Sequence, residues 1–218
     1  MAEPKLTVCV PVYNGEKTIG RLLKSLTAQT MDDIRILVSD NASTDETGRI
    51  CRNLASRDSR IIYSCNPENL GLNFNFCHVS FAHNSPYTAY AAHDLIWKPQ
   101  FAEKLILVLE NNPDALIAYP CCEFIDSDRE TEELYFDKVR FDEPDPETRY
   151  LNVIKYLGWN TPFLGIMRHF KASPLWLQIL YAYNEDFSGD NLHIAAIALM
   201  GKIKQLHLPL LQRKKGEH

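Results

Sequence analysis

Two periodicities take turns along the first half of the chain. Leu6-Thr7-Val8-Cys9-Val10-Pro11-Val12 is a short β-branched run that stops at the turn-forming Tyr13-Asn14-Gly15, and Ile19, Leu22, Leu23 and Leu26 then keep helical spacing up to Ala28. The same alternation follows twice more. Ile34 to Asp40 reads as a second strand, and Ser43-Thr44-Asp45-Glu46-Thr47 offers hydroxyl and carboxylate caps to a helix carrying Ile50, Leu54 and Ala55. Ile61 to Cys65 is a third strand, the turn-rich Asn66 to Gly71 leads into a helix from about Leu72 to Ala82, and Tyr87 to Ala91 is a fourth strand ending at His93-Asp94. Strands alternating with helices in this way predict an α/β fold whose parallel sheet is joined by right-handed crossovers.

Beyond Lys98-Pro99 the pattern loosens. A helix is expected over Phe101 to Leu109, a strand over Ala115 to Tyr119, a helix opened by Pro144-Asp145-Pro146-Glu147 and running to Leu157, a loop over Gly158 to Phe163, and a short strand over Gly165 to Met167. A helix over Leu192 to Met200, closed by Gly201, and a last strand over Ile203 to Leu208 complete the reading. Between these elements, Asp126 to Glu147 holds ten acidic residues against three basic ones, a balance of −7 that leaves the rest of the chain near +2. Such a run is expected to be a solvated, mobile surface segment. No linker composition separates the two halves, so the 218 residues are expected to form one domain, with 1–98 and 99–218 as its halves.

Composition removes several classes. With 45% hydrophobic and 23% charged residues the chain is an ordinary globular protein, and the net charge of −5 carries no basic nucleic-acid footprint. No apolar run is long enough to span a membrane and no signal-peptide core is visible, so a cytoplasmic location is expected, with peripheral membrane contact compatible with it. The six cysteines form no CxxC and are expected to be reduced. No two glycines are spaced as a dinucleotide-binding GxGxxG requires. Gly15 to Gly20 has the spacing of a phosphate-binding P-loop, but Arg21-Leu22 follows where Lys and a hydroxyl are needed.

Ligands of open α/β sheets collect beyond the carboxyl ends of the strands. Polar residues stand at four such ends: Tyr13-Asn14, Asp40-Asn41, Asn66 to Asn75, and His93-Asp94. Each alone is ordinary turn chemistry. Together they suggest one shared pocket, since turns do not require an aspartate at the very end of two apolar strands.

Val10-Pro11-Val12-Tyr13-Asn14-Gly15, Asp40-Asn41-Ala42-Ser43-Thr44-Asp45-Glu46-Thr47 and Asn69-Leu70-Gly71-Leu72 resemble, in order and spacing, the opening motifs of the family 2 glycosyltransferases of GT-A fold. Ala92-His93-Asp94-Leu95-Ile96-Trp97 is similar to that family's metal-binding region in its histidine-containing form, and Asp186 to Gly201 to its later aspartate-and-helix stretch. The resemblance implies a Rossmann-like GT-A domain, mixed but mainly parallel, that moves a sugar with inversion from a nucleotide-sugar, UDP- or dTDP-linked, to a glycan or lipid-linked acceptor. It implies nucleotide binding by Pro11, Val12, Tyr13, Asn14, Asp40, Asn41, Asn69, Gly71, Asn75, His93 and Asp94, with Asp40 accepting the base's imide N–H. Asp94 would hold Mn²⁺ or Mg²⁺, which are suited to oxygen ligands. Trp159 and Asn160 would meet the acceptor. Asp190, eleven residues before Gly201, would be the general base, with Asp186 second and Glu185 the remaining candidate. Two departures stand out. Ala92 and Leu95 flank Asp94 where the family carries acids, and no arginine stands near Asn73 and Asn75. The rival is a degenerate nucleotide-sugar-binding module of a larger protein, and the end of the chain at Arg213 to His218 suggests a piece of a longer one.

Overall fold

A computed structural model describes residues 3–126, 131–158, 161–169 and 189–214. Strands β1 (Leu6–Val12), β2 (Ile34–Asp40), β3 (Ile61–Cys65) and β4 (Tyr87–Tyr90) alternate with helices α1 (Ile19–Thr27), α2 (Thr47–Ala55) and α3 (Leu72–Ser80). Then come β5 (Leu95–Trp97), α4 (Phe101–Asn111), β6 (Ala115–Asp126), β7 (Thr131–Tyr135), α5 (Pro146–Tyr156), a 3₁₀ turn (Thr161–Leu164), β8 (Ile166–Arg168), α6 (Gly189–Met200) and β9 (Lys202–Lys214). All the strands join one mixed sheet in the order β3-β2-β1-β4-β8-β6-β9-β5, with β7 added to β6.

The first four strands are parallel, with Leu6 opposite both Ile34 and Tyr87. In the second half β8 runs antiparallel between β4 and β6, β7 antiparallel to β6, and β5 antiparallel to β9, while β6 and β9 are parallel. Both faces of the sheet are covered, which is why the central strands read as nearly continuous apolar runs. Leu6, Val8, Val10 and Val12 pack on one side with Leu22, Leu23 and Leu26 of α1 and Leu105 and Leu109 of α4. Cys9 and Leu37 point to the other side, where Cys77 of α3, Val153 of α5 and Ile194 and Ile197 of α6 close the core.

Three sequence expectations need correction. The acidic stretch is not simply a solvated segment: β6 runs on to Asp126 and pairs antiparallel with β7, Cys122 opposite Tyr135. The adjacent Glu132 and Glu133 gave that strand no alternation and hid it under a charge count. The three-residue β5 was missed because it is too short for any period, and β9 extends past Leu208 because its second half is paired on both edges. The six cysteines are all free, five of them buried, and among the described residues no helix is long and apolar enough to cross a membrane.

Candidate active site

The loops leaving β1 and β2 are latched together by the motif residues themselves. Ser43 Oγ accepts the Asn14 N–H (2.8 Å), Asn14 Oδ1 accepts the Thr44 N–H (2.9 Å), and Thr47 Oγ1 accepts the Gly15 N–H (2.8 Å). Asp45 takes the N–H groups of Glu16 and Thr47, both at 3.0 Å. Burial alone would raise the Asp45 carboxyl; those hydrogen bonds outweigh it and hold it below the usual carboxylate range. Asn14 and Ala42 both adopt positive φ, +50° and +61°, a sparsely populated backbone region fixed here by the latch. Pro11 and Val12 are buried at the end of β1, and Tyr13, which follows them, is 45% exposed.

Asp40 ends β2 with only 1% of its surface exposed. Its Oδ1 accepts the Ser43 N–H (2.9 Å) and its Oδ2 the Tyr63 hydroxyl (2.8 Å). Burial, and then the bond to Asp40, push the Tyr63 hydroxyl far up, so it stays a donor. Arg52 lies over the Tyr63 ring at 5.6 Å. The absence of a side chain at Gly48 gives this arrangement room, because a Cβ there would stand 2.8 Å from the Tyr63 hydroxyl. Tyr63 was not singled out in the sequence; the only signal was its parity with Ile61 and Cys65 on a strand paired with β2.

The asparagines expected at the nucleotide are tied into the neighbouring segments. Asn41 Nδ2 donates to Asn69 Oδ1 (2.7 Å) and the Gly71 carbonyl (3.2 Å), and its Oδ1 accepts from Asn66 Nδ2 and the Leu70 N–H, both at 3.0 Å. Asn75 bonds both the side chain and the carbonyl of Ser39 (2.6 and 2.8 Å). These side chains fasten the Asn66 to Gly71 loop and α3 to the end of β2, and Leu72 beside them is exposed.

His93 Nδ1 lies 2.7 Å from Thr18 Oγ1, tying the end of the β4 exit to the start of α1. Asp94 is also buried, and its Oδ2 accepts from Arg213 Nε at 2.7 Å. Arg213 was not singled out either, since the two residues are 119 positions apart. The donor set at this point is a poor match for a protein-held divalent ion. It offers one carboxylate already carrying a guanidinium and a histidine turned to a hydroxyl. No group of three His, Cys, Asp or Glu side chains that could hold a metal occurs among the described residues.

Asp190 sits in the first turn of α6, where its carboxylate complements the helix dipole and accepts the Asn191 N–H (2.9 Å). The buried Asn191 Oδ1 beside it has no hydrogen-bond partner among the described residues. His193, one turn into α6, is driven down to about 4 by burial and stays neutral. Trp159, Asn160, Glu185 and Asp186 lie outside the described residues. The flank of the Trp159-Asn160 stretch is fixed by Asp137, whose carboxylate accepts from Tyr135 Oη (3.1 Å) and Thr161 Oγ1 (3.0 Å).

Residues 7–173 match the family model described as glycosyl transferase family 2. Among curated proteins, the glycosyltransferase GlyA of Streptococcus pneumoniae is 42% identical over 72 residues, covering 33% of this chain and 10% of that protein. A Campylobacter jejuni enzyme, the GalNAc(5)-diNAcBac-PP-undecaprenol beta-1,3-glucosyltransferase, is 40% identical over 63 residues, 29% of this chain and 20% of its own. S. aureus TarS 1–349, solved in complex with UDP-GlcNAc, superposes with a TM-score of 0.70 at 18% identity, covering 98% of this chain and 59% of that one. The chain thus spans less than two thirds of the length of each of these relatives. The fold is that of TarS, a mixed sheet between helices, and with its latched β1 and β2 exits and a family match over residues 7–173, the chain belongs to the family 2 glycosyltransferases.

Proposed function

We propose that the chain binds a nucleoside-diphosphate sugar, UDP- or dTDP-linked, at the carboxyl ends of β1, β2 and β4 and passes the sugar with inversion to a glycan or lipid-linked acceptor. The observation that carries this reading is Asp40. A buried strand-end carboxylate, fixed from two sides by the Ser43 N–H and the Tyr63 hydroxyl, keeps about two of its four lone-pair positions for a further donor. A pyrimidine imide N–H is such a donor, and the half-exposed Tyr13 ring offers an aromatic face for the base. The related TarS was solved with UDP-GlcNAc, which supports a uridine donor.

In the proposed reaction Asp190 takes the proton of the acceptor hydroxyl while that oxygen attacks the anomeric carbon. The bond from carbon to the diphosphate oxygen breaks on the opposite face, and the nucleoside diphosphate leaves with the electron pair. What supports Asp190 in this role is its half-buried place in the first turn of α6, next to Asn191, whose Oδ1 has no partner among the described residues. Thermal shift against a panel of nucleoside diphosphates and nucleotide-sugars tests the reading. UDP or dTDP should stabilise the protein more than ADP; equal effects of ADP and UDP would refute the base assignment.

A further inference from the structure

We propose that Arg213, held in place by Asp94, is the positive charge that meets the donor's diphosphate, so that this site takes a nucleoside diphosphate without a divalent cation. The inference rests on the donor reading above and concerns what compensates the phosphates.

The topology brings the pair to the donor end of the sheet. Asp94 lies between the exit of β4 and the start of β5, and the antiparallel pairing of β5 with β9 sets Arg213 opposite Leu95. The two members are unequally covered: the Asp94 side chain is 7% exposed and that of Arg213 is 25% exposed. The carboxylate is therefore the buried anchor and the guanidinium the part that reaches solvent. Only Nε is used on Asp94, and the Nη amines make no hydrogen bond to another described residue. A guanidinium held by one edge presents its other N–H groups as a fork, the geometry that suits phosphate oxygens.

Charge points the same way. The Asp94–Arg213 pair is neutral as a unit, and Ala92 and Leu95 add nothing to it. Lys98, the nearby cation on β5's outgoing end, is committed to Glu123 (2.9 Å), whose other oxygen accepts from Gln212 (2.7 Å). Successive residues of β9 thus serve opposite faces, Gln212 toward Glu123 and Arg213 toward Asp94. A divalent ion brought to the Asp94 carboxylate would have to share it with Arg213, whose positive charge 2.7 Å from Oδ2 repels the ion. An incoming diphosphate instead adds its negative charge to a cation already in position, and negative charge growing on the departing diphosphate meets the same guanidinium.

The test compares uridine with UDP by calorimetry on the whole chain, in excess EDTA and in excess Mn²⁺. For the wild type the UDP-to-uridine affinity ratio should be the same in both to within about threefold. Arg213→Gln should lower that ratio about 10- to 100-fold with uridine affinity unchanged, a pattern that general loosening of the fold would not give. Arg213→Lys should recover part of the ratio by keeping the charge without the fork. Asp94→Asn, which keeps an acceptor for Nε but not the charge, should lower it less than Arg213→Gln. A wild-type ratio that collapses in EDTA and returns with Mn²⁺ overturns the proposal, as does an unchanged ratio in folded Arg213→Gln. If Arg213→Gln does not fold, the EDTA comparison on the wild type decides alone. Wild type that binds uridine but discriminates UDP only with metal refutes this inference and leaves the donor reading standing; wild type that binds neither refutes both.

Discussion

Replacing Asp40 by asparagine exchanges one acceptor oxygen for an NH₂ group at nearly constant volume, and the surroundings of Asp40 say what that exchange does. One oxygen still serves the Ser43 N–H, and the new amide faces the Tyr63 oxygen, which can turn from donor to acceptor. The fold should survive with a loss of about 1 kcal/mol. A pyrimidine imide N–H, by contrast, would lose a charge-assisted hydrogen bond worth about 1.5–3 kcal/mol, or about 10- to 150-fold in affinity. The amide also matches cytosine, whose N3 accepts where that of uracil donates. UDP affinity measured by calorimetry should therefore fall by that factor in Asp40→Asn, CDP affinity should hold or rise, and the UDP-to-CDP preference should shrink toward one. Asp40→Ala is the harsher control: it strands the Ser43 N–H and the Tyr63 hydroxyl, at about 1–3 kcal/mol each, and should lower Tm by an amount on the order of 10 °C. A folded Asp40→Asn that keeps the wild-type UDP-to-CDP preference would refute the assignment of the base to Asp40.

Tyr63→Phe removes the donor to Asp40 Oδ2 and should weaken UDP about 3- to 10-fold while costing about 0.5–1.5 kcal/mol of stability, read by calorimetry and denaturant titration; unchanged UDP affinity would show that Tyr63 does not position Asp40. Gly165→Ala would drive a Cβ onto the Ala118 carbonyl oxygen and to 2.8 Å from Tyr119 Cβ, so β6 must shift, and Tm should fall by about 2–10 °C; an unchanged Tm would contradict that packing. His83, lowered to about 4 by burial and then by the neighbouring His169, and His193, lowered to about 4 by burial, are both held neutral in the fold. Between about pH 6.5 and pH 4 the unfolded chain therefore binds protons that the folded chain refuses. Stability present above that window should be lost as pH falls through it, by up to about 1.4 kcal/mol per pH unit for each histidine. His83→Gln should flatten the Tm profile between pH 6.5 and 4.5, and an unchanged slope would remove His83 from that account.

The first half of the fold was legible because β1, β2 and β4 lie between two covered faces, and their apolar runs admit little else. The second half was less so: β7 lies in an acidic stretch and β5 has three residues, so neither leaves a period to read. For the site, the motif residues stand at the exits of β1, β2 and β4, but sequence could not show which of them fasten the loops. Asn41, Asn75, Asp45 and Thr47 spend their hydrogen bonds on neighbouring segments. A polar residue at a strand end looks the same in either role. Partners distant along the chain, Tyr63 on Asp40 and Arg213 on Asp94, became visible only when sheet pairing set them side by side.

The central claim, transfer of a sugar from a uridine or thymidine diphosphate donor with Asp190 as base, is tested most directly by nucleotide release from a panel of such donors, measured for wild type and Asp190→Asn together with their UDP affinities. Asparagine keeps the size and the bond to the Asn191 N–H but cannot take a proton. The account predicts UDP affinity equal to wild type and turnover lower by a factor on the order of 10²–10⁴. Equal turnover in the two proteins would contradict it.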